Sequence, residues 1–249
     1  MFKQSYPLIM GKNCIREVLR TAPERIVTVY TLQGNNQDPF YKELVKSGIS
    51  IQHVSKNELS ELVDSTSHQS FIAAIRQRKL LSAQEFLKEV PANRPSFALM
   101  LDSIFDPHNF GAILRAAECF GVDCVIYSKN RGTDVTAVVT KVSSGASELI
   151  PLIKVSNLAE TAKLFQEEGF VVISADVGEN SHSLEAYDFP ERTLLILGSE
   201  GEGIQPLLKK RSDVILKIPM YGKIDSLNVS QAASVFLYAY RAQNLSYTK

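Results

Sequence analysis

The fold is decided by residues 214–243, whose sequence is VILKIPMYGKIDSLNVSQAASVFLYAYRAQ. The stretch begins with a short apolar strand, Val214–Ile218, and continues through a proline and a polar loop into a long helix. Ser226 stands where we expect the residue that caps this helix. The apolar positions follow the helical period and form one stripe: Val229, Ala232, Ala233, Phe236 and Tyr240. In an α/β sheet, a strand that leads through a polar loop to a helix N-terminus forms part of a ligand crevice.

The composition is that of a globular chain with one large domain or two ordinary ones. The 249 residues are 45% hydrophobic and 22% charged, with 27 Lys+Arg balanced by 27 Asp+Glu, which argues against disorder. No apolar run is long enough to span a membrane, and the N-terminus lacks the apolar segment of a signal peptide. We therefore expect a cytoplasmic protein without a membrane partner.

The three cysteines do not form a metal-binding or disulfide pattern. Cys14, Cys119 and Cys124 are odd in number and lack C-x-x-C spacing. We expect all three to be reduced thiols in the core.

The charge is distributed unevenly along the chain. Residues 1–80 carry 11 Lys/Arg against 7 Asp/Glu, whereas residues 97–249 carry 14 against 18. The N-terminal part is therefore positive and the C-terminal part negative. This asymmetry is a weak indication that an anionic polymer binds the N-terminal part.

Residues 1–78 are predicted to form a small α/β domain. Two helix starts are marked, one by Asp38-Pro39 and one by a capping box of Ser55 and Glu58. The expected strands are Arg25–Thr31, Ile51–Val54 and Phe71–Ile75. Strands that alternate with helices imply a sheet covered by helices.

Residues 79–95 are predicted to be a linker between this domain and a second one, residues 96–249. The linker contains a short helix that starts at the capping box of Ser82 and Glu85, and it ends in an extended segment with two prolines. The second domain opens with the strand Ser96–Leu101, a polar loop, and a helix from about Asn109 to Phe120.

The second domain continues as apolar strands interleaved with helices. The further expected strands are Cys124–Tyr127, Leu149–Val155, Phe170–Ala175 and Leu194–Leu197. This pattern predicts the α/β class, with a mostly parallel sheet covered on both faces.

A glycine-rich loop, GSEGEG at residues 198–203, follows one of these strands. It lacks the Lys-Ser/Thr of a phosphate-binding loop and the spacing of a dinucleotide fingerprint. Its two glutamates would repel a pyrophosphate, so a cationic or phosphate-poor ligand fits better. A flexible strand–helix turn without a ligand is an equally good interpretation.

Other polar residues have structural alternatives to a functional role. Asn109 could simply cap its helix, and Arg115 points away from the core, as a solvated charge does. Asp102 and Asp106 lack further oxygen ligands at metal-binding spacing, so we expect no metal. Neither a nucleophile elbow nor a Cys/His pair is present.

Three loops, taken together, resemble the three motifs of the SpoU family of RNA ribose 2′-O-methyltransferases. The first motif is similar to NFGAILRAA at residues 109–117, and the second to LILGSEGEGI at residues 195–204. The third is similar to IPM at residues 218–220 followed by SLNVSQA at residues 226–232. All three lie in order at strand–loop–helix junctions, and the likeness covers about residues 96–244.

The N-terminal domain resembles the RNA-binding domain of L30e-like fold that this family carries. The likeness rests on Gly11-Lys12 with the helix after them and on His68-Gln69, with Ser70 standing where glycine is more usual. The two-domain arrangement is most similar to the branch that methylates a guanosine ribose in 23S rRNA. The resemblance also implies a deep C-terminal trefoil knot, which contradicts the general rule that chains are unknotted, and a homodimer.

The resemblance further implies S-adenosyl-L-methionine as cofactor. The positions that match the family's cofactor site are Gly198, Ile218, Met220 and Leu227. The positions that match its catalytic site are Asn109, Arg115, Glu200, Ser226 and Asn228. The sulfonium of the cofactor is a cation without phosphates, which suits an acidic glycine loop.

An arginine is essentially never deprotonated in a protein. We therefore expect Arg115 to clamp a phosphate and to stabilise the developing alkoxide, with a phosphate-assisted role as base left open.

On this interpretation the positively charged N-terminal domain binds RNA. The candidate residues are Lys12, Arg16, Arg20, Arg76, Arg78 and Lys79, and each could equally be an ordinary surface charge. Two alternatives remain: the same reaction on tRNA, and a non-catalytic RNA-binding or ribosome-assembly protein of the same fold.

Overall fold

The structure is a computed structural model, which describes residues 6–91, 93–178, 180–199 and 201–244. Its strands are β1 (Leu8–Met10), β2 (Ile26–Thr31), β3 (Ile51–His53), β4 (Phe71–Ile75), β5 (Ser96–Leu101), β6 (Cys124–Ser128), β7 (Leu152–Val155), β8 (Val171–Ala175), β9 (His182–Ser183), β10 (Arg192–Leu197) and β11 (Val214–Lys217). Its α-helices are α1 (Lys12–Thr21), α2 (Pro39–Lys46), α3 (Lys56–Val63), α4 (Ala83–Glu89), α5 (Pro107–Cys119), α6 (Ala137–Val142), α7 (Ala146–Leu149), α8 (Leu158–Glu167), α9 (Pro206–Arg211) and α10 (Val229–Gln243).

The chain divides into two compact units. The first contains the chain up to Lys79 together with Val135–Leu149, and the second contains Leu80–Asp134 and the chain from Ile150 onward. Residues 135–149 lie within the part of the sequence assigned above to the second domain, yet they pack with the first unit.

Local capping explains where several helices begin. Asp38 accepts a hydrogen bond from the Phe40 N–H at 2.9 Å, with Pro39 in the first turn of α2. Both capping boxes predicted from the sequence, at the starts of α3 and α4, are present with their reciprocal hydrogen bonds.

The first unit is built on a four-stranded sheet in the order β1-β4-β2-β3. β4 is antiparallel to both of its neighbours, and β2 is parallel to β3. The three predicted strands are confirmed, whereas β1 was missed because three residues are too few to show a strand period. The turn before β4 places Gln69 and Ser70 at φ of 53° and 62°, so Ser70 adopts the left-handed conformation that glycine favours.

Residues 135–149 are held to the first unit by specific contacts. The Cys14 thiol donates to the Thr140 carbonyl oxygen at 3.1 Å. Glu148, in α7, forms a largely buried ion pair with Arg25 at 2.8 Å, and its carbonyl oxygen accepts from Arg78 at 2.7 Å. These contacts explain why the segment belongs to the first unit.

The second unit is built on a seven-stranded sheet in the order β7-β6-β5-β10-β8-β11-β9, and every neighbouring pair is parallel. The mostly parallel sheet predicted from the sequence is thus confirmed. α4, α8 and α9 contribute to its main apolar cluster, in which Phe86 stacks on Phe165 at 6.0 Å. The expected linker 79–95 therefore contains a helix of this unit.

Helices α5 and α10 pack against each other in the second unit. The apolar stripe predicted for α10 is confirmed, because Val229, Ala233, Phe236 and Tyr240 are buried and Ala232 is partly buried. Tyr240 stacks on Phe97 of β5 with ring centroids 3.8 Å apart.

The cysteines follow the sequence expectation only in part. Cys14 and Cys124 are buried, and desolvation raises the pKa of Cys14 to about 12. The expectation is wrong for Cys119, which is exposed because it lies in the last turn of α5 on the side away from the core.

Candidate active site at the carboxyl ends of the strands

Three polar loops leave the larger sheet at the same edge. Leu197, the last residue of β10, pairs with Leu101 of β5 and with Ala175 of β8. Ala175 in turn pairs with Leu216 of β11. Because the strands are parallel, the loops that begin at Asp102, Gly198 and Ile218 start side by side, as ligand sites of α/β sheets do.

The glycine loop closes on itself immediately after β10. Ser199 and Gly203 exchange two backbone hydrogen bonds of 3.1 Å each and form an isolated bridge. A Cβ atom at Gly198 would lie 2.3 Å from the carbonyl carbon of Gly203. Position 198 therefore accepts only glycine, and the backbone groups of Ser199 and Gly203 are held by their contacts with each other.

The loop carries no positive side chain among its described residues, which are 198, 199 and 201–203. Glu202 in this loop is exposed. The described residues therefore offer an anionic phosphate no positive side chain, whereas the Glu202 carboxylate suits a cationic ligand. Glu200, which the family resemblance places in the catalytic set, lies outside the described residues.

The loop after β11 has the opposite character. Ile218 and Met220 are partly buried, but the following segment exposes large apolar side chains. Tyr221 is 84% exposed, Ile224 77% and Leu227 37%. Exposed apolar side chains grouped in one loop are typical of a surface that binds a ligand or another protein.

The cap of α10 is Asn228, and the expectation that Ser226 caps this helix is wrong. The Asn228 side-chain oxygen accepts from the Ser230 N–H at 2.8 Å and from the Ser230 hydroxyl at 2.6 Å. The Ser226 hydroxyl instead donates to Asp225 at 3.3 Å. Both residue types are good caps. Asn228 is the one used because its side chain also hydrogen-bonds to Asn109.

Asn228 joins two of the three loops. Its amide nitrogen donates to the side-chain oxygen of Asn109 at 2.9 Å, across 119 positions of sequence. Asn109 lies in the first turn of α5, which begins two residues earlier than predicted. Asp106 caps α5 by accepting from the His108 N–H at 2.8 Å, so the alternative that Asn109 is the helix cap is wrong.

Arg115 is exposed on α5, as predicted, and does not lie beside Asn109. The two residues are six positions apart, which separates them by about 240° around the helix and about 9 Å along it. Its guanidinium forms no hydrogen bond or ion pair with any residue that the structure describes. The structure thus brings Asn109 and Asn228 into contact, whereas among the described residues neither Arg115 nor Ser226 hydrogen-bonds to them.

The sequence analysis missed a buried carboxylate at the same edge of the sheet. Asp102 is fully buried and accepts from the Gln205 backbone N–H at 2.8 Å and from the Gln205 side-chain amide at 2.6 Å. It also accepts from the Ser103 hydroxyl at 2.9 Å, and that hydroxyl accepts from Arg131 at 3.2 Å. The available signal was an aspartate directly after a buried strand, which had been considered only as a metal ligand.

Five of the six basic residues named as RNA-binding candidates have a described partner within the first unit. Lys12 hydrogen-bonds to Asp38 and thereby lowers the pKa of that carboxyl group. Arg16 pairs with Glu43 at 3.0 Å and Arg20 with Glu17 at 2.8 Å. The other three positions are an exposed Arg76 that donates to the Glu24 carbonyl oxygen, a partly buried Arg78, and an exposed Lys79.

The described part of the chain contains neither a metal-binding cluster nor a membrane-spanning helix. No group of three or more His, Cys, Asp and Glu side chains is arranged to hold a metal ion in residues 6–91, 93–178, 180–199 and 201–244. In the same ranges no helix has both the length and the apolarity to cross a bilayer.

Family models match both parts of the chain. The model of the SpoU rRNA Methylase family matches residues 96–238, and the model described as RNA 2′-O ribose methyltransferase substrate binding matches residues 8–81. The chain therefore belongs to the SpoU rRNA methylase family.

Individual relatives match nearly the whole chain. The 23S rRNA (guanosine-2′-O-)-methyltransferase RlmB of Vibrio cholerae is 35% identical over 237 residues, which cover 94% of this chain and 96% of that protein. The RlmB of Salmonella typhimurium is 36% identical over 234 residues, which cover 93% of this chain and 96% of that protein. The crystal structure of the SpoU methyltransferase AviRb from Streptomyces viridochromogenes, in complex with AdoMet, has a TM-score of 0.81 at 21% identity and covers 97% of this chain and 91% of that one.

Proposed function

We propose that this protein transfers a methyl group from S-adenosyl-L-methionine to the 2′-hydroxyl of a guanosine ribose in 23S rRNA, in the cytoplasm. The observation that carries the proposal is the hydrogen bond between Asn109 and Asn228. It joins the first and third SpoU motifs at the sheet edge where the second motif, the glycine loop, also lies. The RlmB relatives, about 35% identical over 93–94% of this chain, support the choice of substrate.

The residues at this edge suit the cofactor. The closed glycine loop offers backbone groups at Gly198 and no positive charge, while Ile218, Met220 and Leu227 offer apolar contact. S-adenosyl-L-methionine supplies an electrophilic methyl group on a positively charged sulfur. We assign the binding of its adenosine and methionine parts to these four residues.

The polar residues at the edge position the ribose. Asn109, Ser226 and Asn228 provide amide and hydroxyl groups for its hydroxyls, together with Glu200. The amide of Asn228 is already oriented, because its oxygen is held by Ser230 and its nitrogen by Asn109. Such oriented groups lower a barrier without rearranging during the reaction.

Arg115 carries the positive charge of the site. Its guanidinium is exposed and without a described partner, so it is available to an RNA phosphate and to the alkoxide that forms as the 2′-hydroxyl loses its proton. Arginine stays protonated in proteins, so this role is electrostatic. Replacing one oriented donor slows catalysis by about 10²–10³-fold.

The test of this role is Arg115→Ala, with Glu118→Ala on the exposed side of the same helix as the matched control. We expect methylation of 23S rRNA to be lost in the first variant and kept in the second. Calorimetry should give both variants the wild-type affinity for S-adenosyl-L-methionine. An equal loss of cofactor binding and of methylation in Arg115→Ala would overturn the role.

The substrate is tested with labelled S-adenosyl-L-methionine and separate pools of 23S rRNA and tRNA. We expect label in the rRNA pool, in the form of one 2′-O-methylguanosine. Label confined to tRNA would overturn the substrate, and label in neither pool would favour a non-catalytic RNA-binding protein.

We assign RNA binding to the predicted N-terminal domain, residues 1–78, and to Lys79 directly after it, which belong to the first unit. Deleting residues 1–78 would uncover Ala137 and Val138, which pack against an apolar cluster of the first unit, so charge reversal is the cleaner test. Arg20→Glu combined with Lys79→Glu should weaken RNA binding and make it less dependent on salt. Unchanged RNA binding with unchanged cofactor binding would contradict the assignment of these two residues.

The proposal includes a homodimer formed through the second unit and a trefoil knot in its C-terminal segment. Support for the dimer comes from α10, which exposes 64% of Tyr238 and 38% of Val235. Sedimentation should give twice the mass of the chain for the wild type and a smaller species for Tyr238→Glu. An experimental structure of the second unit checks the threading of the knot.

A further inference from the structure

A pocket of about 280 Å³ opens at the carboxyl ends of β6 and β7, where none of the residues assigned above lies. The proposed cofactor residues follow β10 and β11, which lie on the other side of strand β5. Apolar side chains of Leu158 and Leu208 form part of the pocket lining, and polar side chains of Asn130, Arg131 and Gln205 form another part. A volume just below the usual range of ligand pockets suits one planar heterocycle rather than a whole nucleotide.

The orientation of Gln205 is fixed by the buried carboxylate of Asp102. A carboxylate only accepts hydrogen bonds, so the amide nitrogen Nε2 of Gln205 must face it, at 2.6 Å from Oδ1. The amide oxygen Oε1 therefore points away from Asp102, and it accepts no hydrogen bond from the described residues. Gln205, which lines the pocket, thus offers an oriented hydrogen-bond acceptor.

Arg131 is tied to the same carboxylate through Ser103. Its Nε donates to the Ser103 hydroxyl at 3.2 Å, and that hydroxyl donates to Asp102 at 2.9 Å. The two terminal nitrogens of the guanidinium have no partner among the described residues. Arg131, which lines the pocket, therefore offers two adjacent hydrogen-bond donor nitrogens.

The backbone beneath this network is strained, which indicates a constraint beyond folding. Ser103 is buried with a left-handed φ of 60°. Gly132, next to Arg131, has a φ of 136°, and a Cβ there would lie 2.9 Å from the Ile104 carbonyl oxygen. The loop after β5 and the loop after β6 therefore pack closely against each other. This packing, together with the hydrogen bonds to Asp102, holds Arg131 and Gln205 in place before any ligand binds.

We propose that this pocket binds a guanine base splayed out of the RNA substrate, an inference that rests on the proposed function. The donors of Arg131 match the O6 and N7 acceptors of guanine. The acceptor Oε1 of Gln205 matches the N1–H and N2–H donors, and Leu158 and Leu208 contact the ring. Adenine presents the reverse pattern at position 6 and lacks the N1–H donor, so it fits worse.

A splayed base is what sequence-specific recognition of RNA commonly uses. Proteins that read an RNA sequence mostly bind single-stranded loops and bulges, whose unstacked bases they contact along the base edges. A pocket at the sheet edge where the methylation site lies can hold such a base. The pocket therefore selects the RNA, while the residues assigned above carry the reaction.

The test uses the full-length protein saturated with S-adenosyl-L-methionine, with 5′-GMP and 5′-AMP as calorimetric probes. We expect 5′-GMP to bind at least about fivefold more tightly than 5′-AMP, since one good base contact discriminates by roughly that factor or more. Arg131→Ala and Gln205→Met should each abolish this preference. Lys129→Ala, which removes a neighbouring exposed charge outside the pocket, should keep it.

The same variants are then assayed on 23S rRNA. We expect Arg131→Ala and Gln205→Met to raise KM about tenfold, consistent with the loss of one base contact, while kcat and the Kd for the cofactor stay at wild-type values. The proposal is overturned if the preference for 5′-GMP survives both variants, or if their KM equals that of Lys129→Ala. Failure of the wild type to methylate rRNA would refute the proposed function instead, and the nucleotide preference would still be measured independently.

Discussion

The loops after β10 and β11 leave the same edge of the sheet and belong to one candidate site, yet they are stabilised in different ways. The first closes through the bridge between Ser199 and Gly203, and the backbone leaves no room for a Cβ atom at Gly198. The second exposes Tyr221 and Ile224 almost completely. One half of the site is therefore formed by contacts of the loop with itself, whereas the other half presents apolar surface that a ligand or a second subunit would cover.

The positions of the residues in the two loops are therefore determined in different ways. At Gly198 backbone packs on backbone, so a substitution at that position should disturb the fold. In the loop after β11, a substitution should change what the loop contacts and leave the fold intact. Single substitutions in each loop test that contrast.

Gly198→Ala should have the largest effect. Its Cβ would lie 2.3 Å from the Gly203 carbonyl carbon, so the backbone of the loop must move. Forcing extra volume into a packed site costs about 1–3 kcal/mol, and we expect the upper part of that range because backbone atoms are displaced. Urea unfolding should show the loss of stability, and calorimetry should show the loss of cofactor binding.

Gly222→Ala is the matched control in the loop after β11. No atom lies within 4 Å of the position where a Cβ would be built. We expect its free energy of unfolding to stay within about 0.5 kcal/mol of the wild type, as for ordinary surface substitutions. Equal destabilisation by both alanines would show that the two loops do not differ in the way described.

Asn228→Ala should have an intermediate effect. It removes the cap of α10 and the hydrogen bond to Asn109, and losing a cap costs about 1 kcal/mol. Ser226→Ala is the control, because Ser226 does not cap the helix in the structure. The urea midpoints of the two variants measure the loss of stability. A larger loss of stability in Ser226→Ala than in Asn228→Ala would show that Ser226 is the cap.

Ile224→Ser should have the smallest effect on stability. The side chain is 77% exposed, so its replacement changes few contacts within the chain. We expect an unchanged urea midpoint but weaker association of subunits or weaker cofactor binding, measured by sedimentation and calorimetry. A substantial loss of stability would show that the loop after β11 is also held by its own packing.

Local chemistry allowed much of the fold to be predicted from the sequence. The starts of α2, α3 and α4 follow from residues that lie within three positions of each other, such as Ser55 and Glu58. The stripe of α10 follows from the helical period alone. These features depend on neighbours in the sequence and on little else.

Features that depend on distant contacts were missed or misplaced. Ser226 and Asn228 are equally plausible caps, and the partner of Asn228 lies 119 positions away. Asp102 and Gln205 are 103 positions apart, so no local pattern links them. The attachment of residues 135–149 to the first unit likewise depends on contacts such as that between Cys14 and Thr140. The roles of the individual site residues remain predictions that the experiments above test.

The contact of Arg241 with the end of α5 has a consequence for synthesis on the ribosome. Its guanidinium donates to the carbonyl oxygens of Phe120 and Gly121, at 2.5 Å from the first. The last carbonyls of a helix need such partners, and here the partner is translated 121 residues after Phe120. The end of α5 thus stays uncapped by this arginine until α10 has been synthesised, so the second unit completes its folding only after that helix is available.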